Sequence, residues 1–427
     1  MVKYLISFIQ LLAIQQMAVA QAINKIINAK EVERIEKTLS ADDMRGRRIF
    51  TPDIDKAAAF ITQEFKKAGL QPVAGDSYFQ EFSMSRTRFV AASGHINGAA
   101  LDAANVVGLT GQTDLSVTDT SGYEKVLVGA KDTLSRMVTK LQRTGKNYVL
   151  IVDTAQRAAF ERLKRSKPPF TPKGNILVLL TNKNVSTFNV QFSQEVTQMP
   201  LKNVVGILPG KSKKEEYVIF SGHYDHLGVG KPNEEGDSIF NGANDDAAGT
   251  TAVIMLANYF AKQKNNERTL IFAAFTAEES GGFGSQYFSQ QLNPDQVMAM
   301  FNIEMIGTES KWGRNSAFIT GYEKTDMGRI LERNLQGSVF IFYPDPYPQQ
   351  DLFYRSDNAT LARLGVPAHT ISTSKMDSEK YYHTQEDEID TLDMENMAEI
   401  IKAIAISSTS IISGKDTPVR VDTKQLR

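Results

Sequence analysis

The hydrophobic pattern of the second half of the chain alternates between short apolar runs and longer stretches with helical spacing. The short runs predict strands at residues 203–208, 216–221, 269–276, 298–303 and 368–372. Helical spacing between them predicts helices at residues 246–263 and 285–292. Because strands that alternate with helices form a mostly parallel sheet covered on both faces, this pattern predicts an α/β fold.

The first half of the chain follows a different pattern. Apolar residues recur at helical spacing up to Leu70, which predicts helices in an N-terminal part at residues 21–88. Short β-like runs and a basic helical stretch at residues 154–167 then predict a smaller inserted α+β lobe at residues 89–198. The main domain is expected to resume at residues 199–427.

The first 20 residues have the order of a secretory signal peptide. A basic start at residues 1–3 precedes an apolar run at residues 4–14 and an Ala-x-Ala pattern that ends at Ala20. This order predicts cleavage near Ala20 and a secreted or periplasmic protein; the alternative is an apolar helix that packs on the core. The run is too short to span a membrane, and no other apolar stretch approaches that length.

The composition narrows the chemistry. The chain has 427 residues, of which 41% are hydrophobic and 23% charged, as is typical of a globular protein. Its 48 basic and 49 acidic residues give a net charge of −1, so no overall field attracts nucleic acid or anionic lipid. Cysteine is absent, which excludes thiolate ligands, and with only 5 histidines any metal site must also use carboxylates.

Polar residues that suit a metal site cluster around the predicted strand ends and helix starts. They are His223, Asp225, Asp245, Asp246, Glu278, Glu279, Glu304 and His383. Each alone has an ordinary explanation, such as a helix cap, a solvated turn or a structural histidine. Ligands of α/β sheets, however, bind outside the carboxyl ends of the strands, where these connections meet. Five connections that each supply a ligand therefore predict a metal site at that edge.

Four motifs resemble the co-catalytic zinc aminopeptidase family. They are GHYDHLG at residues 222–228, NGANDDAAG at 241–249, FTAEESGGFGS at 275–285 and YHT at 382–384. Their order and combination are highly specific, and the resemblance covers most of the chain. It implies a central, mostly parallel mixed sheet flanked by helices, often interrupted by a protease-associated lobe at the position of the insertion predicted here.

The resemblance also implies a role for each matching residue. The implied metal ligands are His223, Asp245, Glu279, Glu304 and His383, with Asp245 as the bridge between two zinc ions and Glu278 as the general base. A shared carboxylate is physically reasonable, because two ions about 3.5 to 4 Å apart repel each other. Imidazole and carboxylate together suit zinc, and a glutamate beside the ions is suited to accept the proton of an activated water.

Four further residues are expected around the ligands. Asp225 is expected to accept the second ring N–H of His223, and Asp387 to orient the loop of the C-terminal histidine ligand. Tyr382 is expected to donate a hydrogen bond to the tetrahedral oxyanion, and Asp357 to line the substrate site.

One ligand departs from the family pattern. Glu304 stands where the family usually has aspartate, so the identity of the metal is less certain than its binding, and manganese or cobalt are alternatives to zinc. Of the remaining histidines, His226 follows the first ligand motif and is expected near the ligands. His369 lies inside a predicted strand and is expected to pack in the core.

The sequence therefore predicts an exported metal-dependent peptidase, specifically an aminopeptidase that acts on peptides or proteins with a two-metal activated water. One alternative is a glutaminyl cyclase-like aminoacyltransferase, because such cyclases share the fold and resemble a one-zinc version of it. The other is a non-catalytic, receptor-like binding module, as in transferrin-receptor relatives that lost their ligands. The complete ligand set disfavours both alternatives. The oligomeric state stays open at this point.

Overall fold

The computed structural model describes residues 23–165 and 170–427. The predicted signal peptide, residues 1–20, lies outside the described residues. The chain divides into two compact units. The main unit comprises residues 23–81 and 201–427, and the inserted unit comprises the described residues between 82 and 200.

Strands form the sheets of both units. In chain order they are β1 (Gln71–Pro72), β2 (Phe79–Ile96), β3 (Ala99–Ala100), β4 (Val106–Leu109), β5 (Asp114–Thr118), β6 (Glu124–Val128), β7 (Tyr148–Val152), β8 (Ile176–Leu180), β9 (Phe188–Leu208), β10 (Lys213–His223), β11 (Gly228–Val229), β12 (Ile239–Phe240), β13 (Arg268–Phe275), β14 (Val297–Ile303), β15 (Ser316–Ile319), β16 (Ile341–Pro344) and β17 (Ala368–Ser372).

The α-helices alternate with these strands in the main unit and also occur in the inserted unit. In chain order they are α1 (Ala29–Leu39), α2 (Pro52–Ala68), α3 (Leu134–Gln142), α4 (Arg157–Arg165), α5 (Ala248–Gln263), α6 (Phe283–Gln290), α7 (Met327–Asn334), α8 (Asn358–Ala362), α9 (Met394–Ser407) and α10 (Thr409–Ile412).

The main unit is built on a mixed sheet with the strand order β16-β15-β17-β14-β10-β13-β9. The pairs β17/β14, β14/β10, β10/β13 and β15/β16 are parallel, whereas β15/β17 and β13/β9 are antiparallel. The predicted α/β fold with a mostly parallel mixed sheet is therefore confirmed.

Helices cover both faces of this sheet, because its central strands are apolar on both sides. On one face Phe220 stacks against the rings of Phe260, Phe272 and Phe301, with centroids 5.0 to 5.6 Å apart, in a core shared with α1, α2, α5 and α9. On the other face Phe288 of α6 packs in a second core together with α8. Burial on both faces explains why these strands appear in the sequence as continuous apolar runs.

The inserted unit contains a four-stranded sheet with the order β4-β8-β7-β6. Helices α3 and α4 cover one face through residues such as Leu141 and Phe160. Strand β5 and the paired part of β9 cover the other face through residues such as Leu115 and Val190.

The inserted unit is wider than the predicted lobe at residues 89–198. It begins at residue 82 within β2 and ends at residue 200 within β9. Most side chains of β2 are exposed or half-buried, so its hydrophobic alternation is weak and the sequence pattern does not reveal where it starts. Among the residues that the structure describes, no helix is both long enough and apolar enough to cross a membrane.

Candidate metal centre

Three neighbouring parallel strands bring candidate ligands to one edge of the main sheet. Strands β14, β10 and β13 lie side by side, and the register pairs His223 with Phe275 and Ser221 with Asn302. The carboxyl ends of the three strands are therefore level. His223 ends β10, and Glu304 directly follows β14, so their side chains reach the same point.

A tight turn at Ala243–Ala247 places Asp245 above these strand ends, and the peptide bond between Asp245 and Asp246 is cis. The next helix, α5, can approach the sheet closely because residue 249 is glycine. A Cβ at Gly249 would lie 2.2 Å from the carbonyl oxygen of Ile303 and 2.4 Å from the Asp246 carboxylate. The sequence around residue 249 thus allows the Asp245 turn to lie directly above β14.

The Asp246 carboxylate holds this arrangement together. It accepts hydrogen bonds from the backbone N–H groups of His223 at 3.1 Å, Gly249 at 3.0 Å and Met305 at 3.1 Å. Asp246 is fully buried, and this burial raises the pKa of its carboxyl well above the ordinary value. From the sequence, Asp246 is one of the polar residues around the predicted metal site, with a helix cap as its ordinary explanation. The structure shows that it joins the chain segments of His223 and Glu304.

The candidate ligands form two clusters that share one carboxylate. In the first cluster His223 Nε2 lies 3.2 Å from Asp245 Oδ1 and 3.3 Å from Glu304 Oε1. In the second cluster His383 Nε2 lies 3.2 Å from Asp245 Oδ2 and 3.1 Å from Glu279 Oε2. The structure thus brings together the five residues that the sequence suggests as ligands, with one oxygen of Asp245 in each cluster.

His226 adds a second imidazole to the second cluster. Its Nδ1 lies 2.8 Å from Glu279 Oε1 and 4.0 Å from Asp245 Oδ2, and its ring meets that of His383 edge to face with centroids 5.7 Å apart. Sequence analysis expects His226 near the ligands. The structure places it in direct contact with one of them.

The atoms of these clusters fit a bound cation. Three buried atoms have no hydrogen-bond partner among the described residues, although they lie close to one another, and these are Glu279 Oε1, His226 Nδ1 and His383 Nε2. Nitrogen and oxygen atoms that converge in this way without aligned hydrogen bonds are suited to coordinate a shared ion, and mixed imidazole and carboxylate donors suit zinc. Without an ion, the contacts with Asp245 and Glu279 raise the pKa of His383 to about 10.

Glu278 lies beside the clusters and lines a pocket next to them. Burial, followed by repulsion from Asp357 and Glu304, raises the pKa of its carboxyl well above the ordinary value, although His223 opposes the shift. Its backbone N–H donates a 3.0 Å hydrogen bond to Asp225 Oδ1.

Asp225 contacts His223 through a different atom from the one expected. The ring Nδ1–H of His223 donates to the backbone carbonyl oxygen of Asp225 at 3.0 Å, whereas the nearest carboxylate oxygen is 3.8 Å away. The carboxylate is held instead by the N–H of Glu278. A carbonyl accepts only from a protonated Nδ1, so this contact leaves Nε2 free to face the first cluster.

The Asp387 carboxylate holds the Asp245 turn, while its backbone N–H donates to the carbonyl oxygen of Thr384 in the loop of His383 at 3.4 Å. Its Oδ1 accepts the N–H of Asn244 at 2.8 Å and its Oδ2 the N–H of Asp245 at 3.0 Å. Burial raises the pKa of Asp387 to about 6. Since Asp387 follows His383 by only four residues, the contact joins the second cluster to the turn that carries the shared carboxylate.

A chain of buried polar residues positions Glu304. Ser356 donates a 2.7 Å hydrogen bond to Glu304 Oε2 and accepts one of 2.7 Å from Asn302 Nδ2. Asn302 Oδ1 in turn accepts the hydroxyl of Ser221 at 2.8 Å. No sequence motif reveals this network, because its members are ordinary polar residues from separate strands and a loop.

The Arg47 side chain connects two loops of the metal centre with the end of α1. It is fully buried, and its guanidinium donates to the carbonyl oxygens of Leu39, Tyr224, Asn241 and Gly242 at 2.6 to 2.9 Å. These acceptors lie in the N-terminal helix, the loop after β10 and the loop before α5. No sequence motif marks Arg47, since its partners are backbone atoms.

The pocket beside the clusters has charged and apolar walls. Its lining includes the carboxylates of Asp245, Glu278 and Glu304. Tyr382 also lines it and stacks on His383, with ring centroids 3.9 Å apart. The lining does not include Asp357, which is buried and whose chain neighbours Arg355 and Ser356 face the pocket instead.

Residues 203–407, which contain all five candidate ligands, match the sequence profile of Peptidase family M28. A probable leucine aminopeptidase of Trichophyton verrucosum is 23% identical over 369 residues, which cover 81% of this chain and 94% of that protein. A probable zinc metalloprotease of Pyrenophora tritici-repentis is 29% identical over 184 residues, which cover 43% of this chain and 39% of that protein.

A solved structure has a similar fold. BSAP, a zinc aminopeptidase from Bacillus subtilis, superposes with a TM-score of 0.54 at 16% sequence identity, and the superposition covers 91% of this chain and 95% of that one.

Proposed function

We propose that this protein, which belongs to peptidase family M28 through its domain at residues 203–407, is an aminopeptidase that uses two zinc ions. The observation that carries the proposal is the position of Asp245, whose Oδ1 lies 3.2 Å from His223 and whose Oδ2 lies 3.2 Å from His383. One carboxylate facing two clusters is the arrangement that two neighbouring cations require.

Each cluster would hold one ion. His223 and Glu304 would hold the first, His383 and Glu279 the second, and Asp245 both. Imidazole and carboxylate donors suit zinc, and the same set accepts manganese or cobalt. When bound, the ions polarise the scissile carbonyl and lower the pKa of the attacking water.

Glu278 would act as the general base. It lines the pocket beside the clusters, next in the chain to the proposed ligand Glu279, which supports this role. In the reaction a carboxylate oxygen of Glu278 takes the proton of the attacking water and then delivers it to the leaving amine nitrogen.

Tyr382 would stabilise the oxyanion. Burial, together with Asp245, Glu279 and Glu304, raises the pKa of its phenol, so the hydroxyl stays protonated and remains a donor. Its ring stacks on His383 and the residue lines the pocket, which supports this role.

Cleavage next to a free N-terminus is supported by the carboxylates of the pocket and by the name of the Trichophyton relative. A protonated α-amine is attracted to Glu278 and Glu304, which both face the pocket. An internal peptide bond has no such charge to place there.

The experiment is metal analysis combined with hydrolysis of aminoacyl-coumarin substrates. We expect close to two zinc equivalents per chain and activity that is lost with a chelator and restored by zinc. About one equivalent together with cyclisation of N-terminal glutamine would support the cyclase alternative. Activity that is insensitive to the chelator would contradict the proposal, and absence of zinc binding would leave only the receptor-like alternative.

We also propose that the protein is exported. The basic, apolar and small-residue order of residues 1–20 supports this. N-terminal sequencing of the protein recovered outside the cytoplasm should then begin at or near Gln21, and an intact N-terminus on cell-associated protein would contradict export.

A further inference from the structure

The pocket beside the metal centre carries one feature that hydrolysis itself does not use. Besides its three carboxylates, its lining includes the guanidinium-bearing residue Arg355. The rest of the lining consists of apolar residues such as Met305, Phe318 and Leu352 and of hydroxyl-bearing residues such as Thr320 and Ser372. Arg355 is thus the one basic residue in the lining of this pocket, which suggests a matching negative charge on the substrate.

Arg355 is free to bind such a charge. Its side chain is exposed, and within the described residues no hydrogen bond or ion pair holds its guanidinium. Several other arginines of the main unit are engaged by the fold. For example, Arg47 donates to backbone carbonyls, and Arg314 pairs with Asp393. Arg355 therefore contributes little to folding through its charge.

The position of Arg355 relative to the clusters is fixed by its neighbours in the chain. Ser356, the next residue, donates to the ligand Glu304 at 2.7 Å and faces the same pocket. On the other side, Phe353 packs in the core, so the backbone before Arg355 is anchored as well. The backbone that carries the Arg355 side chain is therefore held in place beside the metal centre.

We infer that Arg355 binds a carboxylate of the substrate close to the scissile bond. This inference rests on the proposed function and specifies its substrate class. A guanidinium can donate two parallel hydrogen bonds to one carboxylate. This pairing fixes the orientation of the two groups in addition to attracting them. The α-amine is attracted to Glu278 and Glu304 and the carboxylate to Arg355, so a substrate with both charges is oriented in one direction.

Two kinds of substrate carry a carboxylate close to the scissile bond. One is a peptide with N-terminal aspartate or glutamate, whose side chain would enter the pocket. The other is a dipeptide, whose free C-terminal carboxylate lies one residue beyond the scissile bond. Both present the same chemistry to Arg355, and suitable pairs of substrates distinguish them.

The test compares Arg355→Gln and Arg355→Lys with the control Arg329→Gln, an exposed arginine that does not line the pocket. One pair of substrates is glutamyl-coumarin and leucyl-coumarin, and the other is Leu-Gly and Leu-Gly-amide. For each pair the measured quantity is kcat/KM for the substrate with the carboxylate divided by kcat/KM for the substrate without it. Thermal unfolding checks that the variants fold.

We expect Arg355→Gln to lower at least one of these ratios by roughly 10- to 100-fold, as is typical of a lost charge-assisted hydrogen bond, chiefly through KM. Arg355→Lys should recover part of the loss, and Arg329→Gln should leave both ratios unchanged. A fall in the first ratio identifies the side-chain carboxylate, and a fall in the second the C-terminal one. Unchanged ratios in Arg355→Gln would overturn the inference.

A binding measurement separates this inference from the proposed function. Calorimetric titration of the zinc-loaded protein with L-glutamate against L-glutamine, and with glycine against glycinamide, the leaving groups of the second pair of substrates, requires no hydrolysis. If the protein cleaves none of the four substrates, the proposed function fails. A preference for the carboxylate ligand that Arg355→Gln removes would still support the inference, and the absence of any such preference would refute it.

Discussion

Ser356 donates a 2.7 Å hydrogen bond to one oxygen of Glu304, while the other oxygen of that carboxylate lies 3.3 Å from Nε2 of His223. The longer glutamate, found where the related aminopeptidases usually have aspartate, is thus held at both oxygens. Its extra methylene is compensated by a hydroxyl from a neighbouring loop.

Removing this hydroxyl should weaken metal binding. We expect Ser356→Ala to lower zinc affinity by about tenfold or more, since residues that orient a ligand typically contribute 10- to 100-fold. Competition with a chromophoric chelator measures the affinity. Ser413→Ala, which removes a hydroxyl that donates only to the carbonyl of Ser410, is the matched control and should leave the affinity unchanged. Equal affinities for the two variants would contradict the assigned role of Ser356.

Restoring the usual aspartate should not improve the site. In Glu304→Asp the shorter carboxylate cannot face His223 and Ser356 in the same positions, so we expect fewer zinc equivalents after dialysis than in the wild type. In the double variant with Ser356→Ala the two losses should be less than additive, because both remove the same contact. Full additivity would mean that Glu304 acts independently of Ser356.

Glu278 should be required for turnover and not for metal binding. We expect Glu278→Ala to keep its zinc and its unfolding temperature but to lose about 10²- to 10⁴-fold in kcat, the range of a positioned general base. Metal analysis and steady-state kinetics on the same preparation provide the two readouts. Unaltered kcat would remove Glu278 from the mechanism.

Arg47 should affect both stability and metal affinity. Arg47→Met removes a donor from four buried carbonyl groups, of which that of Gly242 still accepts the N–H of Ala247, and we expect a loss of about 3 kcal/mol or more in the free energy of unfolding. Zinc affinity should fall as well, because Tyr224 adjoins the candidate ligand His223 and Gly242 lies in the loop that leads to the candidate ligand Asp245.

Arg268 offers the matched control for Arg47. It is equally buried and donates to Glu216 and to the carbonyls of Ile411 and Asp416, outside the metal centre. Arg268→Met should therefore destabilise the fold without changing the zinc affinity of the folded protein. A similar loss of affinity in both variants would show that Arg47 acts only through general stability.

His369 should make stability depend on pH. It is buried, donates from Nδ1 to the carbonyl of Thr320 and accepts the hydroxyl of Thr325 at Nε2, both at 2.8 Å, and burial lowers its pKa to about 4. Its folded pKa lies below the ordinary 6.5, so its stabilising contribution is complete above pH 6.5 and is lost as the pH falls toward 4. Each pH unit in this range removes up to about 1.4 kcal/mol.

Denaturant unfolding of the chelator-treated protein measures this effect. The difference in the free energy of unfolding between the wild type and His369→Asn should decrease from pH 7 to pH 4.5 and change little above pH 7. A difference that is constant over the whole range would show that His369 does not titrate as its burial implies.

Much of the fold and the family can be read from the sequence. The predicted strand at residues 368–372 coincides with β17 and that at residues 298–303 lies within β14, since each is a short apolar run with clear ends. The four motifs predict a peptidase family, and the profile of Peptidase family M28 matches residues 203–407, while the similarity to BSAP confirms the fold. The zinc-ligand roles of individual residues remain predictions that the experiments above address.

The supporting residues cannot be read in the same way. Ser356, Arg47 and Asp246 act through partners that lie far away in sequence and that are often backbone atoms, so no local pattern distinguishes them from ordinary polar residues. Asp225 illustrates the limit, because the residue is near His223 as expected but makes the contact with its carbonyl oxygen. Sequence motifs indicate which chain segments meet, whereas the atoms that touch follow from the packing of those segments.

The five candidate ligands come from five separate stretches of chain between residues 223 and 383, and they meet only when β14, β10 and β13 lie in register. An unfolded chain cannot present them together, so metal capture must follow folding and cannot initiate it. Each ion that then binds shifts the equilibrium further from the unfolded state by mass action. The free energy of unfolding should therefore rise with the concentration of metal that the folded chain meets.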